Sequence, residues 1–378
     1  MSGQKLIVLA AGGTGGHLFP AEALARELLE RGFRVALVTD RRGQAFGERL
    51  GGVDLHRIRA GRFGAGVVSK MVGVAELALG TLEAKRLLRD LAPACVVGFG
   101  GYPSVPTMLA ASRLGLPSLI HEQNAILGRA NRLLVSRVQR LATAFAEIGG
   151  LRPEDRARVT LTGNPVRPAI AAQRGTPYPA LGPETPFLIL VLGGSQGARV
   201  LSEIIPHAVS RLSRPLRQRI KIAQQARPED IEAVRLAYAE NGADAELASF
   251  FDDVPARMAQ AHLVISRAGA STVAELAMIG RPAILVPYLH AMDDHQTANA
   301  RAFAMSGGAW VMPQAAFTVE ALAAKLEAFT ASPESLVRAA SASYAQGRPD
   351  AARALAELVS QAAGGANGHT PMLRRDAA

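Results

Sequence analysis

Two stretches decide the fold of this 378-residue chain: LIVLAAGGTGGH at residues 6–17 and FLILVLGGSQG at residues 187–197. Each begins with a short apolar run, typical of a buried strand, and continues into a glycine-rich loop. An amphipathic segment typical of a helix follows each loop. Strand–loop–helix units of this kind build parallel sheets. Because the same design occurs twice, about 180 residues apart, the sequence predicts an α/β protein with two Rossmann-like, doubly wound domains that face each other across a cleft.

The spacing of apolar residues along the rest of the chain supports this organisation. Gly163–Pro186 carries six prolines in 24 residues, a composition typical of a linker. Strands are expected at Leu6–Ala11, Arg34–Thr39, Ala94–Phe99, Pro117–His121, Phe187–Leu192 and Leu263–Ser266, and helices at Pro20–Arg31, Val105–Leu114, Ala198–Leu212 and Pro349–Ala363. We expect an N-terminal domain at 1–166, a C-terminal domain at 167–345, a helix at 349–363 that packs back on the first domain, and a disordered tail at 364–378.

The formal charge of +10 is concentrated in the first part of the chain. Residues 1–166 contain 22 lysines and arginines against 13 acidic residues, whereas the remainder contains 20 against 19. Any acidic surface that this protein meets should therefore meet the N-terminal half. No nucleic-acid-binding motif accompanies the charge. The longest uncharged stretch, Leu91–Ser112, contains three prolines and three glycines, which exclude a single membrane-spanning helix. We expect a cytosolic protein, or one peripheral to a membrane on the cytosolic side.

The two glycine loops are candidate phosphate-binding sites. Each leads from the carboxyl end of a strand to a helix start, where unpaired N–H groups and the helix dipole favour an anion. A simple tight turn is the alternative. A G-x-G-x-x-G motif from Gly13 would need glycine where Leu18 stands, and no Walker lysine follows either loop, which disfavours a nicotinamide dehydrogenase. The chain also lacks a D-x-D triplet, which disfavours a metal-held diphosphate. We expect no metal and no other cofactor.

Two side chains near these helix starts could carry chemistry. His17 ends the first loop, where the helix dipole would lower the pKa of the imidazole and leave it neutral and able to accept a proton. The alternative is a histidine that only caps the turn. Glu275 follows the strand Leu263–Ser266 and could accept both hydroxyls of a ribose, although a solvated glutamate at a helix start fits equally well. The histidines and aspartates at 290–295 match no metal-site spacing and favour a polar loop.

A basic and apolar segment lies between Asp54 and Glu76, with no acidic residue between them. A basic cluster beside exposed apolar side chains is typical of docking to an anionic membrane surface. The alternative is an ordinary amphipathic helix at Val67–Leu88 that packs on the sheet. The candidate docking residues are Arg57, Arg59, Arg62, Val67, Val68, Lys70 and Met71.

Seven segments in order resemble the MurG family of bacterial glycosyltransferases, and they extend from the first strand to Ala300. They are GGTGGHLFPA (Gly12–Ala21), GFGGYPSVP (Gly98–Pro106), HEQNAILGRANRLL (His121–Leu134), TGNPVRP (Thr162–Pro168), LGGSQGA (Leu192–Ala198), SRAGASTVAEL (Ser266–Leu276) and DDHQTANA (Asp293–Ala300).

This resemblance implies a GT-B fold and an inverting, metal-independent transfer of GlcNAc from UDP-GlcNAc. The acceptor would be the C4 hydroxyl of undecaprenyl-diphosphate-MurNAc-pentapeptide, a peptidoglycan precursor at the cytoplasmic face of the inner membrane. Proteins of cell-wall synthesis and division would be candidate partners. His17 is then the candidate base. The donor positions that match the family are Thr14, Gly15, Gly16, Asn124, Arg167, Ser195, Phe251, Ala270, Ser271, Thr272, Val273, Glu275 and Gln296.

Within that set, Arg167 and Ser195 suit the diphosphate, Glu275 the ribose and Gln296 the GlcNAc. The family often has two adjacent glutamines where this chain has His295 and Gln296, so only Gln296 is carried over. Three alternatives stay open from the sequence. They are another GT-B glycolipid transferase, a UDP-GlcNAc epimerase, and a nucleotide-sugar-binding protein without catalysis.

Overall fold

The computed structural model describes residues 4–12, 15–40, 51–60, 66–194, 198–289 and 291–364, without the side chains of 67–70. Within these ranges the chain forms a parallel sheet of seven strands and a second parallel sheet of six. The strands are β1 Leu6–Ala10, β2 Arg34–Thr39, β3 Val53–Arg57, β4 Cys95–Gly98, β5 Ser118–Glu122, β6 Arg140–Thr143, β7 Val159–Leu161, β8 Phe187–Leu192, β9 Ile220–Gln225, β10 Asp244–Ala248, β11 Leu263–Ser266, β12 Ala283–Leu285 and β13 Ala309–Val311.

Helices connect these strands and cover the sheets. They are α1 Gly15–Glu30, α2 Val67–Leu91, α3 Ser104–Arg113, α4 Arg129–Leu134, α5 Pro168–Ala171, α6 Arg199–Ser210, α7 Arg214–Arg219, α8 Ile231–Asn241, α9 Val254–Gln260, α10 Ala270–Ile279, α11 His295–Met305, α12 Val319–Ala331, α13 Glu334–Ala345 and α14 Ala351–Gly364. Short 3₁₀ helices lie at Val135–Arg137, Pro153–Arg158, Met292–Asp294 and Gln314–Ala316.

The strand order places a reversal near the middle of each sheet. The first sheet runs β3-β2-β1-β4-β5-β6-β7 and the second runs β10-β9-β8-β11-β12-β13. The order therefore reverses between β1 and β4, and again between β8 and β11. In open parallel sheets, ligands bind beyond the carboxyl ends of the strands at such a switch point. The predicted pair of doubly wound α/β domains is confirmed, and each glycine loop follows a strand at a switch point.

Strand β1 shows why the strands of these parallel sheets have continuous apolar sequences. Ile7 and Leu9 belong to one core cluster with side chains of α1 and α14, whereas Val8 and Ala10 point to the opposite face and pack with α2 and α3. All of these residues are buried. Successive side chains of a strand alternate between the two faces of the sheet. Both faces are covered here, so every position along the strand is apolar.

Helix α14 returns from the end of the second domain to the first sheet. Leu355 and Val359 join the core cluster that contains Ile7. At the end of the helix, Lys5 donates from Nζ to the carbonyl of Ala363 over 3.1 Å. The C-terminal helix thus ties the two domains together by a second chain crossing. The expected tail at 364–378 lies, beyond Gly364, outside the described residues.

The predicted start of α1 is wrong, whereas most other boundaries agree within one or two residues. The sequence predicted a helix from Pro20, but the helix begins at Gly15. Pro20 lies just beyond the first turn, four residues after Gly16, and its missing N–H costs the helix one hydrogen bond without ending it. As a consequence, His17 belongs to the first turn of the helix instead of preceding it.

Helix α2 buries several small residues together with Leu88, and it also exposes large apolar side chains. Gly73, Gly80 and Ala84 are buried. The side chains of Met71 and Val74 are 68% and 59% exposed. Further exposed apolar side chains on this helix are Val72, Leu79 and Leu82. Within the part of the chain that the structure describes, no helix is long and apolar enough to cross a bilayer.

Gly80 sets how closely α2 approaches the strand region, because a Cβ at this position would overlap the carbonyl oxygen of Arg59. We expect Gly80→Ala to lower the free energy of unfolding by about 1–3 kcal/mol, as overpacking does, in spite of the usual gain of about 1 kcal/mol for Gly→Ala inside a helix. Urea unfolding followed by circular dichroism measures this. Gly51→Ala is the control, since a Cβ at Gly51 meets no atom within 4 Å. Equal stability of the two variants would contradict the packing described.

Candidate active site

The carboxyl ends of the two sheets face each other and are joined by direct contacts. Asn299 in α11 accepts at Oδ1 from the N–H of Ala125 over 2.8 Å and donates from Nδ2 to Oδ1 of Asn124 over 3.0 Å. Arg129 and Asp293 form an ion pair across the same boundary, with 2.9 Å between Arg129 Nη2 and Asp293 Oδ1. The loop after β5 therefore meets the helix after β12. The cleft between the domains lies at the edge where both switch points are placed.

His17 lies where the loops after β1 and β4 meet. Gly100 and Gly101 have φ values of +82° and +72° and run along the imidazole ring. A Cβ on either glycine would come within 3.5 Å and 3.3 Å of ring atoms. On the other side, Gly12 is so close to Pro103 that a Cβ would lie 2.6 Å from the proline Cβ. The glycines thus let two loops enclose one histidine at the switch point of the N-terminal sheet.

Burial is the main reason why the imidazole of His17 is neutral. Nδ1 lies 3.2 Å from Oε1 of Gln123. Burial lowers the pKa of His17, while the charge of Glu122 and hydrogen bonds to Gln123 and to the Phe99 carbonyl oppose this shift. From the sequence, the helix dipole was expected to lower the pKa of His17. The pKa is lowered, but the main cause is burial. His17 is therefore neutral at pH 7 and can accept a proton.

Glu122 organises the loop that follows β5. The carboxylate is 1% exposed. Its Oε1 accepts from the backbone N–H and the Nδ2 group of Asn124, over 3.0 and 3.1 Å. Its Oε2 accepts from the N–H of Gly128 over 2.9 Å and from Nδ2 of Asn131 over 2.8 Å. Both carboxylate oxygens are thus used, and the side chain of Asn124, a predicted donor residue, is fixed between Glu122 and Asn299.

Arg167 and Glu275 form an ion pair on the other side of the cleft. Nε and Nη2 of Arg167 lie 3.0 and 2.9 Å from Oε1 of Glu275. Burial raises the pKa of Glu275, and Arg167 opposes this shift. The guanidinium also stacks over the ring of Phe19, 4.8 Å from its centroid. Because Phe19 stands two residues after His17 in α1, this contact places the ion pair and the histidine in one cleft.

The start of α10 presents backbone amides to the same region. Val273 N–H already donates to the carbonyl of Gly269 over 3.0 Å. Of the predicted segment Ala270–Val273, the first three amides precede this first intrahelical bond and can donate elsewhere. Gln296 supports the neighbouring loops, since its Oε1 accepts from the N–H of Tyr288 over 2.9 Å and of Ala268 over 3.3 Å.

The remaining predicted donor residues are placed less centrally or lie outside the described residues. Gly15 and Gly16 are the first residues of α1. Phe251 is buried, and its ring lies under the guanidinium of Arg257 at 4.3 Å. Thr14 and Ser195 lie outside the described residues. Around the cleft the structure therefore places Asn124, Arg167, Glu275, Gln296 and the start of α10.

The predicted docking residues are described in part. Arg57 and Met71 are exposed. Arg59 is exposed as well, but its Nε lies 3.2 Å from Oε1 of Glu83, an acidic residue beyond the segment considered from the sequence. Its charge is therefore partly compensated. Arg62 lies outside the described residues, and Val67, Val68 and Lys70 belong to α2 without described side chains.

Sequence reasoning missed three buried polar residues that hold the site together: Glu122, Gln123 and Asn299. All are at most 1% exposed. Glu122 and Gln123 stood inside a quoted segment, directly after the apolar run of β5. The signal that could have found them is a group of polar residues that continues a buried strand. Such residues need internal partners because water does not reach them.

The chain is similar to proteins of known family over most of its length. Two family models match the chain, the glycosyltransferase family 28 N-terminal domain over residues 7–143 and the C-terminal domain of the same family over residues 188–355. A protein of Rhodospirillum centenum is 59% identical over 364 residues, which are 96% of this chain and 96% of that protein. It is named UDP-N-acetylglucosamine--N-acetylmuramyl-(pentapeptide) pyrophosphoryl-undecaprenol N-acetylglucosamine transferase.

Solved structures show the same architecture. The crystal structure of Acinetobacter baumannii MurG is 29% identical, with a TM-score of 0.77, and the match covers 94% of this chain and 99% of that one. UDP-GlcNAc 2-epimerase from Neisseria meningitidis is 12% identical, with a TM-score of 0.66 and coverage of 94% and 100%, and shares the fold. The GT-B fold implied by the sequence resemblance is confirmed.

We expect Glu122→Gln to lower the free energy of unfolding by about 1–3 kcal/mol, the cost of leaving buried donors unpaired. A glutamine keeps one oxygen, so its NH₂ group must face either the two donor groups of Asn124 or those of Gly128 and Asn131. Urea unfolding gives the stability, and amide hydrogen exchange at Gly128 reports the loop directly. The exposed Glu147, changed to Gln, is the control. If both variants match the unaltered protein, Glu122 does not organise the loop.

Proposed function

The chain belongs to glycosyltransferase family 28, and from this premise we propose that it transfers GlcNAc from UDP-GlcNAc to the C4 hydroxyl of undecaprenyl-diphosphate-MurNAc-pentapeptide, with inversion at the anomeric carbon. The first turn of α1 is the observation that carries this proposal. It holds a neutral histidine, His17, and also Phe19, which contacts Arg167 of the Arg167–Glu275 pair. A proton acceptor and groups suited to a nucleotide diphosphate therefore share one cleft.

The donor would occupy the side of the cleft formed by the C-terminal domain. Glu275 would accept both ribose hydroxyls, and Arg167 would move from Glu275 to the diphosphate. The amides of 270–272 add donors at a helix start, where an anion is favoured. Gln296 would contact the GlcNAc. The further donor positions proposed from the family resemblance are Thr14, Gly15, Gly16, Asn124, Ser195 and the backbone of Phe251.

The transfer needs a base for the incoming hydroxyl and stabilisation of the departing diphosphate. His17 would take the proton of the C4 hydroxyl as the new glycosidic bond forms and the bond to UDP breaks. The charge of Arg167 and the helix starts would stabilise the negative charge on UDP. These groups supply the stabilisation from the protein itself, so the proposed mechanism has no step that uses a metal ion.

The two domains would bind different substrates. We assign the acceptor and membrane contact to residues 1–166 and most of the donor contact to residues 167–345. The exposed apolar face of α2, with Met71 and Val74, lies in the basic part of the chain. Helices of this kind bind in the plane of a membrane interface. We therefore place the protein at the cytoplasmic face of the cell membrane, as a peripheral protein.

His17→Ala should lower kcat by about 10²–10⁴-fold, the usual contribution of a general base, with KM for UDP-GlcNAc changed less than about twofold. The assay follows labelled GlcNAc from UDP-GlcNAc onto undecaprenyl-diphosphate-MurNAc-pentapeptide, with polyprenyl diphosphate lacking MurNAc as the control acceptor. Normal turnover of His17→Ala at saturating substrates would exclude His17 as the base. Saturable binding of UDP-GlcNAc without transfer would indicate a binding protein, and conversion of UDP-GlcNAc without acceptor would indicate an epimerase.

Reversal of charge at Arg57, Arg59, Arg62 and Lys70 to glutamate should reduce binding to vesicles with anionic lipids at least tenfold in a flotation assay. Each basic residue near an anionic leaflet contributes about 1 kcal/mol. Vesicles of zwitterionic lipid alone should bind both proteins weakly. The matched control reverses four exposed arginines of the C-terminal domain, namely Arg211, Arg214, Arg235 and Arg338. Unchanged binding of the first variant, or equal loss in both, would remove this surface from the proposal.

A further inference from the structure

A chain of hydrogen bonds leads from the start of the interdomain linker to His17. It begins at the carbonyl of Gly163, which lies 3.0 Å from Nε2 of His121. Nδ1 of His121 lies 3.1 Å from Nε2 of Gln123. Oε1 of Gln123 then lies 3.2 Å from Nδ1 of His17. His121 and Gln123 are at most 1% exposed, so these groups depend on one another for hydrogen bonds.

The first member of the chain fixes the tautomer of His121. The carbonyl of Gly163 can only accept a hydrogen bond, so Nε2 of His121 must carry the hydrogen. Burial lowers the pKa of His121 to about 4, which keeps the ring neutral at physiological pH. A neutral imidazole with its hydrogen on Nε2 has a lone pair on Nδ1. His121 therefore presents an acceptor to Gln123.

This acceptor and two carbonyls fix the orientation of the Gln123 amide. Nε2 of Gln123 lies 2.9 Å from the carbonyl of Phe99 and 3.2 Å from the carbonyl of His121, in addition to its contact with Nδ1 of His121. All three neighbours are acceptors. The reversed amide would place an oxygen against them and would leave buried acceptors without donors, which costs about 1–3 kcal/mol per group. The NH₂ group must therefore point to them, and Oε1 must point to His17.

We propose that Gln123 is a positioning residue that holds His17 in the tautomer with its hydrogen on Nδ1, so that Nε2 is the atom that accepts the proton of the incoming hydroxyl. An amide oxygen can only accept, so Nδ1 of His17 has to donate to it. The lone pair of the neutral ring is then on Nε2. A Cβ at Gly101 would lie 3.5 Å from this atom, and glycine leaves that space open. The catalytic part of this inference rests on the proposed function, whereas the tautomer does not.

The charged and titratable neighbours of His17 do not determine which of its ring nitrogens carries the hydrogen. Glu122 follows His121 on β5 and favours the protonated ring, and His295 at the start of α11 disfavours it. His121 is neutral, as described above. These groups change how readily the ring binds a second proton. Two groups hydrogen-bond to the ring, the side chain of Gln123 and the carbonyl of Phe99, and both present an oxygen that can only accept. The Gln123 oxygen faces Nδ1, so this nitrogen keeps the first hydrogen.

Long-range ¹H–¹⁵N correlation spectra of the full-length protein, labelled with ¹⁵N-histidine, show the tautomer of each ring at pH 7.5. His17 is assigned from the signals missing in His17→Ala. We expect hydrogen on Nδ1 and an unprotonated Nε2. Hydrogen on Nε2 of His17 would overturn the inference, even with full transferase activity. Conversely, an active His17→Ala variant would remove the base from the proposed function and would leave the tautomer assignment intact.

Gln123→Met tests the consequence for the reaction. We expect kcat to fall about 10–100-fold, KM for UDP-GlcNAc to stay within about twofold, and His17 to lose its single tautomer. The matched control is Gln224→Met. Gln224 is also a buried glutamine at the end of a parallel strand, but it accepts from Tyr238 over 2.6 Å in the C-terminal domain. It should leave the His17 spectrum unchanged. An unchanged kcat or an unchanged His17 spectrum in Gln123→Met would contradict the positioning role. If that variant fails to fold, the spectrum of the unaltered protein still decides the tautomer.

Discussion

A fully buried amide is the central polar contact between the two domains. Asn299 is fully buried and binds the N–H of Ala125, the side chain of Asn124 and the carbonyl of Ala268. Two of these partners follow β5 of the first sheet, and the third follows β11 of the second. A buried polar group that loses its partners costs about 1–3 kcal/mol, so either opening or sliding of the cleft at this point is opposed. This contact therefore helps to keep the loop after β5 and the loop after β11 together at the cleft.

The end of β5 serves both sides of the cleft because side chains alternate along a strand. His121 and Gln123 lie two residues apart, contact each other and reach His17. Glu122 lies between them in sequence and directs its carboxylate into the following loop, where it holds Asn124. Asn124 is in turn bound to Asn299. Three consecutive residues therefore link the orientation of the proposed base to the spacing of the domains.

The sequence predicted the elements and the fold class well because those depend on local patterns. The apolar run and glycine loop at residues 6–17 are sufficient to indicate a strand, a loop and a helix.

The list of candidate site residues was less complete, because the role of a site residue depends on partners that are distant in sequence. Gln123 gains its role from Phe99 and His17, and the pairing of Arg167 with Glu275 joins residues 108 positions apart. The start of α1 was misjudged because Pro20 signals a helix start locally, whereas the helix begins at Gly15 and contains Pro20. The boundary after Val166 and the roles of the donor residues stay predictions.

The same dependence on distant partners explains why α2 could not be judged from its own sequence. An ordinary surface helix buries its large apolar side chains and exposes polar ones. In α2 the close approach to Arg59 requires glycine at position 80, and the buried side chains include Ala84 and Leu88. Large apolar side chains such as Met71 and Leu82 are left on the outside. An exposed apolar patch of this kind favours the binding of a partner that covers it and removes it from water. The first 166 residues also carry an excess of positive charge, and the membrane contact proposed above would use both the charge and the exposed apolar side chains.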